Sequence, residues 1–87
     1  MDFGEIQDQS QRRLIEFLKV DLELGFTFVR MAQTRTIERE RLLQNVQTVV
    51  EAVRRFEGRI VDRTAWKEIH EKANELERLL AQLDESV

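Results

Sequence analysis

The chain has 87 residues, 36% charged and 41% apolar, with 14 Lys and Arg against 17 Asp and Glu for a net charge of −3. That length holds one small domain, too apolar for a disordered chain and not basic enough for a typical polyanion binder. Cysteine and proline are absent, glycine occurs three times and histidine once, which excludes disulfides and thiolate metal sites and removes most helix breakers.

Residues 1–9 lack apolar periodicity and read as an N-terminal tail before a single helical domain over 10–87. Met1 to Ser10 carry three acids and no Lys or Arg, which is unlike a signal or transit peptide. No apolar run is long enough to span a membrane, so a cytoplasmic protein without membrane contact is expected. Asp8 and Gln11 are spaced as a capping pair for a helix over about 10–33.

Along that helix Glu16, Lys19, Glu23, Thr27 and Arg30 recur at steps of three and four as one polar stripe. Leu14, Phe17, Leu18, Leu24, Phe28, Val29 and Ala32 lie opposite. The apolar arc covers roughly two-thirds of the circumference at about 100° per residue, more than two neighbouring helices can bury. Ile15, Leu22 and Phe26 form one margin and are the candidate interface with a second chain, unless Phe3 and Ile6 fold back over them. Val20 and Met31 form the other margin. Asp21 falls inside the arc and is expected to be a buried polar group with a partner, Asn45 first, then His70, Arg39 or Trp66. Gly25, one turn later, leaves a hollow that another group can enter.

Thr34 and Thr36 can each cap a following helix, so a turn is expected here, with one continuous helix as the alternative. The second helix spans about 37–57, with Leu42, Val46, Val49, Val53 and Phe56 as its seam and Leu43 and Val50 widening it. Gly58 suits a left-handed C-terminal position. Asp62 is placed to cap a third helix over about 63–84, with Val61 stapled onto Trp66. Its seam is Trp66, Ile69, Ala73, Leu76, Leu80 and Leu83. Short connections between seam-bearing helices predict an all-α, antiparallel three-helix bundle. The net charge of successive thirds supports this packing: −3 over residues 1–29, +3 over 30–63 and −3 over 64–87.

Nothing here assembles into a recognisable reaction centre, so no catalytic, cofactor-binding or metal-ligating residue is expected. His70-Glu71-Lys72-Ala73-Asn74 lacks the second histidine of a zinc-protease motif, and Lys67 stands where a di-iron bundle needs Glu. His70 reads as a boundary residue bonded to a neighbour, and Glu68, Glu71 and Glu75 as a solvated face. Arg41, Arg55 and Arg59, with Arg54 and Arg63 nearby, can grip phosphates but have no interleaved aromatic for base stacking.

The stretch from Phe17 to Phe28, containing Lys19-Val20-Asp21-Leu22-Glu23, followed by Asn45 and Glu51-Ala52-Val53, resembles small uncharacterised bacterial helical proteins. Those proteins have a Lys-Val-Asp-Leu-Asp core before an Asn-containing second helix and a charged third one. The spacing of Leu24, Gly25 and Phe28 is also similar to the first helix of a tetratricopeptide-type hairpin, without that motif's leading Trp and terminal Pro. The resemblances imply antiparallel helix packing and scaffolding, and the first, which Asp21 and Asn45 carry, also implies that these two are paired. The expected role is a non-enzymatic protein–protein interaction module, self-associating as a homodimer or binding another helical protein. The alternative is a nucleic-acid-associated regulator using the middle-helix arginines.

Overall fold

The structure, a computed structural model, describes residues 3–35 and 37–85, with side chains from residue 8 onwards. It consists of α1 (Phe3–Thr34), α2 (Arg39–Glu57) and α3 (Arg63–Glu85), with no strand among the described residues. α1 has 32 residues, or about 48 Å at the α-helical rise, close to the molecule's 53 Å long axis. It begins at Phe3, seven residues before the expected start at Ser10. Apolar periodicity is needed for packing but not for propagation, since an established helix gains one hydrogen bond per added residue. Asp8 therefore lies inside the helix rather than at its cap. Whether Phe3 and Ile6 cover a margin of α1 lies outside the described side chains.

A turn separates α1 from α2. Thr34 does not cap α2: its Oγ1 donates back to the carbonyls of Arg30 and Met31 at 3.5 and 3.2 Å. Glu38 takes the N-cap position without a side-chain capping bond, and Thr36 lies outside the described residues. The second turn is held from a distance. Gln11 Nε2 donates to the Arg59 carbonyl at 2.8 Å, and the Val61 amide donates to Gln11 Oε1 at 2.9 Å. The role read for Gln11 as a capping partner is thus replaced by a clamp on the α2–α3 connection. Gly58 sits in the right-handed region, φ −65° and ψ −12°, not the left-handed one. Asp62 caps α3, accepting from the amides of Thr64 and Ala65 at 3.0 and 3.4 Å. Val61 is 81% exposed, so it forms no staple; the neighbouring Ile60 is buried in its place.

The contacts reverse in order between successive helices. Gln11 meets Arg59 and Val61, while Gly25 approaches Val49. Likewise Arg39 meets Leu83, while Glu57 meets His70. The seams of α2 and α3 close on each other: Val46, Val53, Ile69, Ala73 and Leu76 are fully buried, and Phe56 and Trp66 pack half-buried at one end. α1 contributes Leu18, Leu22, Val29 and Ala32. Gly25 sets its orientation. A methyl group there would lie 2.6 Å from Leu76 Cδ2 and 3.1 Å from Val49 Cγ1, so the expected hollow is filled by the other two helices. With Gly25 turned towards both of them, the buried side of α1 centres on Leu18, Leu22 and Val29.

Candidate functional site: an exposed apolar flank of α1

That orientation leaves an apolar strip on the outside. Phe17 is 55% exposed, Val20 65% and Leu24 46%. Steps of three and four put them in one row. Half-buried Phe28 and Met31 continue it towards the C-terminal end of α1. Exposed Glu16, Glu23 and Arg30 run alongside. Thr27 is held down by its own helix, Oγ1 donating to the Glu23 carbonyl at 3.0 Å and accepting from Arg30 Nη2 at 3.4 Å. At the end of the strip, Thr34, Arg35, Ile37 and Glu38 line a shallow hollow of about 420 Å³. Ile37 is 97% exposed there.

This row takes in Val20 and Met31, the second margin expected from sequence, but not the first, which was the candidate interface. Leu22, only 1% exposed, belongs to the core, and Ile15 and Phe26 pack half-buried against it. Phe17 and Leu24, which read as core-facing, are the exposed ones. Counting apolar residues round α1 gave the surplus but not which side carried it, because the small residue at position 25 decides where α2 and α3 approach.

The pair assigned as buried polar is also corrected. Neither Asp21 nor Asn45 is buried, and no hydrogen bond joins them. Contact register explains why: α1 residue 25 lies at the level of residue 49, so position 21 lies nearer 52 or 53 than 45. Asp21 borders the apolar strip, and partial burial raises its pKa above the ordinary carboxylate value.

The densest cluster of polar contacts between helices lies between α2 and α3 and centres on Arg54. Its Nε donates to Glu77 Oε1 at 2.8 Å, Nη1 lies 3.3 Å from both Glu57 oxygens, and Nη2 donates to Asn74 Oδ1. The hydrogen bond to Glu77 is the largest cause of a raised Arg54 pKa, and the same bond lowers that of Glu77. His70 Nδ1 lies 3.2 Å from both Arg54 Nη1 and Glu57 Oε1. One ring nitrogen serves only one of these at a time: it accepts from Arg54 when bare and donates to Glu57 when it carries hydrogen. The imidazole stacks on Trp66, with centroids 4.6 Å apart and planes 13° from parallel. His70 is a boundary residue of the α2–α3 seam. Only the Arg54–Glu57 step was visible as a local spacing.

Lys72 pairs with Glu68 at 3.4 Å, and Lys19 of α1 reaches Glu68 at 3.7 Å. Arg59 lies over the Phe56 ring at 5.0 Å. Among the described residues, no three His, Cys, Asp or Glu side chains converge as a metal cage. Among the described residues, no helix is long and apolar enough to cross a membrane either. Compared with protein-family models, curated proteins and solved structures, the chain finds no significant match.

Proposed function

We propose that this protein is a non-enzymatic helical interaction module, a small scaffold, adaptor or regulatory partner, that associates with itself through the outer flank of α1. The row Phe17, Val20 and Leu24 carries this reading. Three large apolar side chains in one helical row, bordered by charges, form the kind of ridge that packs against another helix. A helical partner fits better than an extended one because the anchors repeat at helical spacing. The need is also energetic. A domain of this size buries only about 60% of its unfolded surface, and association supplies further burial.

The nucleic-acid reading has weaker support. Arg54 is engaged by Glu57 and Glu77, and Arg59 covers Phe56, which leaves Arg41 and Arg55 as the exposed pair on that flank of α2. Sedimentation of Val20→Glu beside the wild type tests the proposal. Val20 points outward, so its replacement leaves the monomer fold intact and removes association. Association unchanged by Val20→Glu refutes this use of the flank. Tight, strongly salt-dependent binding of a DNA or RNA oligomer favours the alternative.

A further inference from the structure

We infer that the partner of the α1 flank is a second copy of this chain lying antiparallel to it, with the two-fold axis at the level of Phe26. This rests on the self-association proposed above and goes further by fixing direction and register. The first observation is the order of charges beside the strip. Arg12 and Arg13 come first, then Glu16, Asp21 and Glu23, then Arg30 and Arg35, then Glu38, while Lys19 is taken up by Glu68 of α3. A parallel copy sets each charge at the level of its own twin, so acids face acids and Arg30 and Arg35 face themselves. Such like-charge juxtaposition disfavours that arrangement.

An antiparallel copy gives the opposite result. Glu16 falls opposite Arg35, Glu23 opposite Arg30 and Arg13 opposite Glu38, and symmetry repeats each pair. All three midpoints lie between residues 25 and 27. Within one chain Glu23 and Arg30 are seven positions apart, about 10 Å along the helix, too far for an ion pair. Arg35 and Glu38 already pair at 3.7 Å, both more than half exposed, so Glu16 and Arg13 of the second copy extend an existing ion pair into a network.

The second observation is Ile37, 97% exposed in the turn after α1. The same register sets it level with position 15 of the other copy, about 3 Å along the helix from Phe17 and so within reach of that ring, with the hollow lined by Thr34, Arg35, Ile37 and Glu38 beside it. One rotation therefore covers both ends of the exposed strip and places Val20 across from Met31 and Leu24 across from Thr27.

Charge swaps and cysteine cross-linking test the arrangement, with light scattering for mass and circular dichroism as a folding control. The native chain has no cysteine, so each introduced thiol is the sole one. Glu23→Arg and Arg30→Glu should each weaken the dimer about tenfold, and the double swap should restore it. Thr27→Cys, beside the axis, should form an intermolecular disulfide. Thr34→Cys should not, because its two copies lie about 24 Å apart along the axis, well beyond disulfide reach. A dimer in which Thr34→Cys links readily, or in which the double swap fails to rescue, overturns the antiparallel register while leaving self-association standing. A chain that stays monomeric throughout overturns both and leaves the flank to a different helical protein.

Discussion

Gly25, inside α1, and Gly58, just past the end of α2, should respond to the same substitution with opposite signs. At Gly58 the backbone is right-handed and an added Cβ meets nothing within 4 Å. Gly58→Ala should therefore stabilise by about 0.5–1 kcal/mol through reduced unfolded-state freedom. At Gly25 alanine brings a helix-propensity gain of about 1 kcal/mol. Its methyl lands 2.6 Å from Leu76 Cδ2 and 3.1 Å from Val49 Cγ1. Leu76 is completely buried, so its methyl cannot swing into solvent, and Val49 is stiff at χ1. Overpacking of this kind costs about 1–3 kcal/mol, so Gly25→Ala should be net destabilising by about 1 kcal/mol. Urea denaturation followed by far-UV circular dichroism reads both, at one fixed protein concentration because association couples to stability. The cause is checked by repeating Gly25→Ala in a Leu76→Ala background, where the cost should shrink although Leu76→Ala itself costs about 2–5 kcal/mol. Stabilisation by Gly25→Ala matching that by Gly58→Ala would refute the claim that position 25 sets how α1 is approached.

Three further outcomes follow from the polar contacts. Glu77→Gln should cost about 0.5 kcal/mol at pH 7. Arg54 holds the folded-state pKa of Glu77 below its usual value, so the difference should fade as pH falls through that lowered value; a pH-independent difference contradicts the pairing. Asp21 has the opposite sign, its pKa raised by partial burial. Its contribution is most favourable below the unfolded pKa and is lost as pH rises through the folded one. Asp21→Asn should thus raise the melting temperature at neutral pH and make little difference in acid, whereas a lower melting temperature at neutral pH would reveal a bond that the carboxylate alone can make. Gln11→Ala should cost about 1 kcal/mol and speed hydrogen exchange at the Val61 amide; unchanged exchange there would show that the clamp carries no load.

Much of the fold was legible in the sequence because α2 and α3 carry apolar residues on one side only. For them periodicity alone names Val46, Val49, Val53, Ile69, Leu76 and Leu83. Asp62 was legible for a local reason, since a cap and its amides lie within three residues. α1 was legible in type but not in rotation. Its apolar residues spread so far round that Phe17 read as core and Leu22 as margin, and the close approach at Gly25 reverses the two. Gln11 and Arg54 were hidden for a different reason. The clamp joins positions 48 and 50 residues apart, and Arg54 meets Glu77 across 23 residues, distances at which spacing carries no signal. The surplus of apolar surface on α1 was the readable clue to the proposed binding role; the structure keeps Val20, read as one margin, in that surplus and replaces Ile15, Leu22 and Phe26 of the other margin by Phe17 and Leu24.

That surplus is best tested by the mass of the wild-type chain in solution. Size-exclusion chromatography with light scattering, over a concentration series, should show the 10.4 kDa chain moving to twice that mass at micromolar concentrations. A soluble species holding the single-chain mass at every concentration reached would contradict self-association through α1.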